Sequence, residues 1–377
     1  MTGWDIPLIE ISGGPRERGL AYGEAARPLI RASVDYYREG FHYSSALDWA
    51  DVCERARAWR DPVAEVAPDL LTEIDAIAEG AGLRADEVFA LNARGEIVRA
   101  HDSGFGPQEV DGCSSFALLA EATGDGHVYC GQNWDWRVGT ARTVVMLRVV
   151  QPPKPTIIMQ VEAGQIGRHG VNSAGIALNG NGLDGAFRTP LGLPQPFLRR
   201  MILDSAYLRD ALRVPYDVHQ HIATNLLFTA RGGVAIDLET TPVTHRWGYP
   251  DNGILVHANH YQYGVPPEIA EGYRPSSVDS LYRVPVIERG LAGVRSAAGS
   301  DEVRATIRRT MSDHIGFPHA VCEHPDPRQP EVRHSMTMMS ALADLTTGEY
   351  RVTGGNPCEN EYTLLPWNIN DGPGGDE

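Results

Sequence analysis

The residues best equipped for covalent chemistry lie in Val110-Asp111-Gly112-Cys113-Ser114-Ser115-Phe116, where a glycine precedes a cysteine at the start of a strand-like run. A thiol is the most nucleophilic ordinary side chain, yet it needs a base to become thiolate near neutral pH. If the bond before Cys113 is cut, the residue's own α-amino group, with an ordinary pKa of roughly 7.7 to 8.0, comes within reach of the sulfur and serves as that base. Gly112 suits such a cut, because a residue without Cβ tolerates the backbone geometry that exposes its carbonyl carbon to the next side chain. The expectation is that Cys113 breaks the Gly112–Cys113 bond and then works as an N-terminal nucleophile. Taken alone, a Gly-Cys pair is more often a turn glycine before a buried structural cysteine, so the surrounding sequence decides.

Two further side chains have types and spacing that suit a thiol enzyme. The runs 113–122 and 127–136 flank Thr123-Gly124-Asp125-Gly126, and Asp-Gly between apolar runs signals a hairpin. A turn centred near Asp125 sets Cys113 opposite residues near 137 and brings Asp135 within diagonal reach. A carboxylate there would orient the new ammonium or the thiol; a strand-end turn residue is the equal alternative. Ile254 to Tyr261 reads as a buried strand ending in polar groups, and Asn259 can donate its amide to a developing oxyanion or be satisfied by backbone. In the glycine-rich run 170–182, Asn179 and Asn181 are candidates to line a pocket, although such a stretch is commonly only a tight turn. Gly180, Gly182 and Gly185 match GxGxxG, but Pro190, Pro194 and Pro196 stand where a dinucleotide-binding helix should run, so no nucleotide cofactor is expected. His257 with His260, and His219 with His221, lack a nearby acidic cluster, and no metal is expected.

These groups need a scaffold, and the pattern supplies one. Helical periodicity is expected over 15–39, with a kink at Pro28, and over 49–60, 68–81 and 86–94. A turn-rich loop at 101–108 follows, and then the period becomes that of strands. Further strands are expected at 143–150, 156–162, 225–229, 233–238, 335–344 and 349–353, with helices at 195–212, 277–290 and 300–311. A helical segment 1–112, a loose connector, and a β-rich body 113–377 are the organisation of a propeptide joined to a catalytic part. Strands, then helices, then strands again suggest sheets covered by helices.

The composition of the 377 residues, 42% hydrophobic and 22% charged, is that of a globular chain with a sizeable core. A formal net charge of −16 argues against nucleic acid and against a polybasic membrane contact. Five scattered cysteines without a CxxC spacing suggest neither a disulfide framework nor structural zinc, and point to a reducing compartment. With no signal-like or membrane-spanning run, a cytoplasmic location is expected.

Several motifs together resemble a known family. They are Leu91-Asn92-Ala93-Arg94-Gly95-Glu96, Asp111-Gly112-Cys113-Ser114-Ser115, Gly131-Gln132-Asn133-Trp134-Asp135-Trp136, Asn172-Ser173-Ala174-Gly175 and His257-Ala258-Asn259-His260, with Gly14-Pro15-Arg16-Glu17-Arg18-Gly19 near the start. In this order they resemble the acyl-coenzyme A:6-aminopenicillanic acid acyltransferase (isopenicillin N acyltransferase) family of N-terminal-nucleophile hydrolases. The resemblance implies an α+β fold, a four-layer αββα sandwich, made as a proenzyme and cleaved between Gly112 and Cys113. It further implies Cys113 as nucleophile, Asp135 near the new amino group and Asn259 as oxyanion donor. The choloylglycine hydrolases look like more distant relatives, with Gln132 here where they carry arginine. A family arginine just before the strand near Thr337 aligns with His334, with Arg333 beside it as a substitute in substrate binding. A second family arginine is Glu323 here, which puts the same substrate in doubt.

The expected activity is therefore cleavage of a small linear amide, such as an N-acyl amino acid or peptide-like molecule, through a thioester. The alternatives are acyl transfer to a small amine and, from another class, an unprocessed binding relative without chemistry. No cofactor is expected. The expected partners are the amide substrate and the chain's own N-terminal fragment, with neither nucleic acid nor membrane; a coenzyme A thioester is the less favoured acyl source, because the acidic chain offers no obvious phosphate site.

Overall fold

A computed structural model describes residues 5–100, 112–275 and 277–374, so the loop expected over 101–108 lies outside them. The N-terminal part carries strand β1 (Leu8–Ser12) and helices α1 (Pro15–Ala25), α2 (Arg27–Ser45), α3 (Trp49–Ala56), α4 (Arg60–Val66), α5 (Pro68–Ala81), α6 (Ala85–Asn92) and α7 (Arg94–Ala100). Strands β2 (Gly112–Leu118), β3 (Tyr129–Arg137), β4 (Val144–Val150), β5 (Ile157–Glu162), β6 (His169–Asn172) and β7 (Ile176–Gly182) follow. Next come α8 (Gln195–Leu203), α9 (Leu208–Asp217), β8 (Thr224–Ala230), β9 (Val234–Thr240), β10 (His245–Gly248) and β11 (Ile254–His257). The chain closes with α10 (Ser280–Leu291), α11 (Ser300–Met311), β12 (Ser335–Asp344), β13 (Glu349–Gly354) and β14 (Thr363–Leu364).

The strands form two sheets, an eight-stranded one in the order β1-β4-β5-β6-β7-β8-β9-β10 and a six-stranded one in the order β11-β2-β3-β12-β13-β14. Alternation along the strands assigns each face a partner. On β4, Val145, Leu147 and Val149 pack against the N-terminal helices and α8, whereas Val144 and Met146 face the second sheet. On β2, Cys113 and Ala117 face the first sheet, and Phe116 and Leu118 pack against Val284, Ile287 and Ile307 of α10 and α11. The layers are thus helix, sheet, sheet, helix, the α+β sandwich that the sequence implies.

The N-terminal segment is built into this sandwich. β1, which the sequence pattern did not show, pairs in parallel with β4 at the sheet edge, where a five-residue run carries too short an alternation to be distinctive. Buried Glu73 of α5 binds Arg18 of α1 at 2.7 Å and Arg200 of α8 at 3.0 Å, so one carboxylate joins three helices across the Gly112–Cys113 junction. The long helix expected over 15–39 is broken at Ala26, and Pro28 falls in the first turn of α2, where its missing N–H costs nothing. α1 and α5 approach so closely that a Cβ on Gly23 would lie 2.3 Å from the Ile77 carbonyl oxygen.

The hairpin register also differs from expectation. β2 ends at Leu118, the chain makes a 3₁₀ turn at Ala120–Ala122, and β3 begins only at Tyr129. The loop is therefore asymmetric about Asp125, and Cys113 faces Trp134 while Gly112 faces Asp135. The glycine-rich run is two strands, β6 and β7, joined through Gly175 at φ 78°. Between the sheets, the buried Gln132 side chain of β3 donates to the Gly180 carbonyl of β7 at 2.9 Å and accepts from the Gly180 N–H at 3.0 Å.

Gln132→Leu keeps the volume but strands both backbone groups of Gly180, and should cost about 2–5 kcal/mol. Urea unfolding of the single-chain Cys113→Ala protein with and without the change measures this, and an unchanged midpoint would rule out the tie.

Candidate active site

Cys113 sits near the head of β2, between β11 and β3, fully buried. Its backbone N–H donates to Asn259 Oδ1 at 2.8 Å. Asn259 lies just past the end of β11 and is held from behind: its own N–H donates to Ser280 Oγ at the start of α10 at 2.7 Å, and that hydroxyl is 2.7 Å from His260 Nδ1. Burial, with the neighbouring His257 and Arg283 charges, pulls the His260 pKa down to about 4, so the ring that shares this hydrogen bond with Ser280 is neutral. The Asn259 amide nitrogen donates to the Gly182 carbonyl at 3.1 Å. The sequence-expected nucleophile and oxyanion donor are thus brought into direct contact, with the asparagine oxygen turned to Cys113 and its nitrogen to Gly182.

Arg283 of α10, which sequence reasoning did not single out, ties these groups together. Its Nη1 donates to the Cys113 carbonyl at 2.7 Å and to Ser114 Oγ at 2.9 Å, its Nη2 to Asn259 Oδ1 at 3.0 Å, and its Nε to Asp279 at 2.8 Å. The guanidinium is buried, and with a further bond from Nη2 to Ser277 Oγ at 3.3 Å the planar fork lets one cation serve five acceptors. The signal was present in the sequence: Arg283 stands on the apolar stripe of its helix, beside Val284, Ile287 and Leu291.

Two carboxylates close on Gly112. A Cβ built there would lie 3.2 Å from Glu323 Oε2 and 3.7 Å from Asp135 Oδ2. Asp135 accepts from Thr337 Oγ1 at 2.6 Å, and the Glu323 N–H donates to the same hydroxyl at 2.9 Å. Glu323 also accepts from Ser335 Oγ at 2.7 Å and lies 3.3 Å from His319, whose pKa it raises. Burial and then the Glu323 charge push the Asp135 carboxyl well above the ordinary carboxylate value, against the pull of Arg283.

Gly112, Asp135, Asp279, Glu323 and Gly182 reach the wall of a cavity of ≈570 Å³, a volume that suits a small-molecule site. Elsewhere the wall carries aromatic rings and arginines, Tyr36, Tyr37, Phe41 and Trp136 with Arg94, Arg137, Arg168, Arg199 and Arg333, among aliphatic and neutral polar side chains and one further acid, Glu96. Arg94 pairs with Glu162 and lies 4.7 Å from the Tyr37 ring centre, and Arg168 lies 3.8 Å from that of Trp134. The sequence-expected Arg333 is therefore on the wall, while His334 turns away to the Gln329 carbonyl at 3.0 Å. Asn179 and Asn181 are placed behind the wall; Asn181 Oδ1 accepts from Ser115 Oγ at 2.6 Å and Asn225 at 3.2 Å, between the sheets. His257 is engaged by the Ala258 carbonyl at 2.7 Å and Glu239 at 3.0 Å.

The four layers, with a cysteine at the head of an inner strand, place the chain in the N-terminal-nucleophile fold class. The model of the acyl-coenzyme A:6-aminopenicillanic acid acyl-transferase family matches residues 122–357, and the chain belongs to that family. It is 29% identical over 324 residues to the 40 kDa form of acyl-coenzyme A:6-aminopenicillanic-acid-acyltransferase of Emericella nidulans, a match covering 83% of this chain and 84% of that protein. Among solved structures it is similar to penicillin V acylase from Agrobacterium tumefaciens (14% identity, TM-score 0.41, 64% of this chain and 82% of that one). It is also similar to a variant of the conjugated bile acid hydrolase from Clostridium perfringens (11% identity, TM-score 0.40, 68% and 97%). No helix among the described residues is long and apolar enough to cross a membrane.

The Asp135–Glu323 arrangement has a pH consequence. A carboxyl whose pKa is raised by folding binds more protons folded than unfolded, so its contribution to stability is lost as pH rises from its unfolded value of about 4 toward its folded one. Asp135→Asn keeps an acceptor for Thr337 and removes the charge. In the Cys113→Ala background it should become progressively more stable than its parent as pH rises above about 4; a difference constant with pH would exclude the burial effect.

Proposed function

We propose that the chain is a self-processing cysteine amidohydrolase that cleaves a small linear amide carrying an anionic group, through a thioester on Cys113. The observation that carries this is the placement of one peptide bond: Gly112 is on the cavity wall between two carboxylates, and the next residue, buried just behind it, has its nitrogen held by Asn259.

In the self-cleavage step, Cys113 Sγ attacks the Gly112 carbonyl carbon, the C–N bond to Cys113 breaks, and the nitrogen takes up the thiol proton, leaving Gly112 as a thioester on the sulfur. Water then cleaves the thioester, giving the Gly112 carboxylate and a free thiol. Glycine eases the approach, and Arg283, within electrostatic reach of the Cys113 sulfur, lowers the cost of thiolate. Removal of Gly112 from the wall leaves the new α-amine bound to Asn259 Oδ1 with Asp135 and Glu323 nearby, an environment that holds one N–H, leaves the lone pair for the thiol proton and stabilises the ammonium formed when that proton is taken.

In turnover the α-amine takes the thiol proton as sulfur attacks the substrate carbonyl, and the Asn259 Nδ2 group donates to the oxyanion, an interaction worth roughly 3–4 kcal/mol in comparable sites. The amine leaves with the proton, and water resolves the thioester. The aromatic side chains suit an apolar acyl group, and the arginines suit a carboxylate, so an N-acyl amino acid matches both features of the wall.

Transfer to a small amine is the second reading. The family's name and the five wall arginines favour it, since the latter weaken the charge argument against an anionic acyl donor such as a coenzyme A thioester. The two outcomes are separated by incubating an N-acyl amino acid with and without a second amine and identifying the acylated products.

The purified wild-type protein should run as two fragments under denaturing conditions, the larger beginning at Cys113, whereas Cys113→Ala remains a single 41.2 kDa chain without amidase activity. An undivided wild-type chain that turns over amides would overturn the mechanism.

A further inference from the structure

On the far side of Glu323 from Gly112, two histidines and two cysteines converge. His314, Cys322 and His324 belong to the segment between α11 and β12, and Cys358 to the loop after β13. One nitrogen or sulfur atom from each lies within 4.8 Å of all the others. The recorded edges are 3.1 Å between the two His Nε2 atoms, 3.5 Å between the two sulfurs, and 3.6 and 3.4 Å from His324 Nε2 to Cys322 and Cys358. A tetrahedron with bonds of ~2.3 Å to sulfur and ~2.0 Å to nitrogen has edges of about 3.8 Å (S to S), about 3.5 Å (S to N) and about 3.3 Å (N to N). Four of the six edges are thus already close to those a single tetrahedral ion imposes, and the two from His314 to the sulfurs lie within 4.8 Å.

We propose that His314, Cys322, His324 and Cys358 bind a structural zinc ion. Two thiolates neutralise the dication, and the two-nitrogen, two-sulfur set suits tetrahedral zinc and excludes the hard, oxygen-seeking magnesium and calcium. Binding displaces the two thiol protons. Four protein ligands fill the coordination sphere, so the site has no open position for chemistry. An outer partner is in place: Asn356 Nδ2 is 3.3 Å from Cys322 Sγ and 2.6 Å from the Glu323 carbonyl oxygen.

The position of the site gives it a role. Cys322 and His324 flank Glu323 directly, so an ion holding both fixes the backbone that presents the Glu323 carboxylate to Gly112. The link to Cys358 ties that segment to the loop after β13. The ligands escape a search by sequence spacing because they stand seven residues, one residue and then thirty-three residues apart, with no CxxC pair.

The test uses the full chain purified from zinc-supplemented cells in reducing, chelator-free buffer. Elemental analysis should find about one zinc per chain, and replacement by Co²⁺ should give the visible absorption of a tetrahedral site with sulfur-to-metal charge transfer. His314→Ala, at an exposed ligand whose loss leaves the core untouched, and Cys358→Ser should each weaken zinc binding, against a competing indicator, by more than the ~10–100-fold expected for losing an outer partner. Cys113→Ser should bind zinc as the wild type does, which separates this site from the nucleophile and from any failure of the proposed reaction. No zinc uptake, a Cys322–Cys358 disulfide under these reducing conditions, or unchanged affinity in His314→Ala and Cys358→Ser would each overturn the proposal.

Discussion

One buried guanidinium sets the conditions for everything at the head of β2. Arg283 is taken out of water with only Asp279 as a hydrogen-bonded carboxylate partner, and its remaining donors go to the Cys113 carbonyl, the Ser114 and Ser277 hydroxyls and the Asn259 amide oxygen. A buried cation so thoroughly hydrogen-bonded cannot shift without leaving several polar groups unsatisfied, so it acts as a rigid pin. It fixes the strand, the loop after β11 and α10 with respect to one another. It also offsets part of the repulsion between Asp135 and Glu323, both of which lie within its field.

The two carboxylates are otherwise difficult to explain. Nothing in the packing calls for a pair of acids against a neutral glycine, and burial together with their proximity raises Asp135 at a cost to stability. Such a local conflict is what a site keeps when the charge it awaits is absent. An ammonium on Cys113 would resolve the conflict, since a positive charge at the new chain end meets two negative ones. The intact peptide bond and the acid pair are thus mismatched, and the mismatch favours the cleaved state without any new contact.

What the sequence revealed follows the range of each interaction. Cys113 and Asn259 were legible because glycine before a strand cysteine, and an asparagine closing an apolar strand, are local signals. The strand and helix order was legible for the same reason, and the sheet-on-sheet packing followed from alternation. The register of the β2–β3 hairpin was not, because a 3₁₀ turn at Ala120–Ala122 absorbed residues that an Asp-Gly turn alone would leave in strands. Asn179 and Asn181 were expected in the pocket because a glycine-rich run lets ligands approach; the glycines instead serve close strand approach, and Gly180 meets Gln132 from the other sheet. Arg283 showed locally only as a cation on an apolar helix stripe, without its partners; the arginines of the cavity and the His and Cys cluster depend on elements far apart in the chain, so no window of sequence displays them. The overall charge of −16 concealed the arginines gathered on the cavity wall, where they stand with Glu96, Asp135, Asp279 and Glu323, since net charge describes the surface average and says nothing of one concave face.

In the proposed mechanism, the burial of Cys113 also orders the chemistry in time. In the uncut chain the residue is closed off from the cavity, and the group that reaches the wall is Gly112. The carbonyl next to the sulfur at that stage is the one attached to its own nitrogen, and burial of the thiol keeps it from amides in the cavity. Cleavage removes the obstruction and supplies the base in the same event. The N-terminal segment nonetheless stays where it is, because β1 remains in the first sheet and Glu73 remains bonded to Arg18 and Arg200. Tyr36, Tyr37, Phe41 and Arg94, all on that segment, line the cavity, so under the proposed cleavage the part of the chain severed from the nucleophile would still shape the site that receives its substrates.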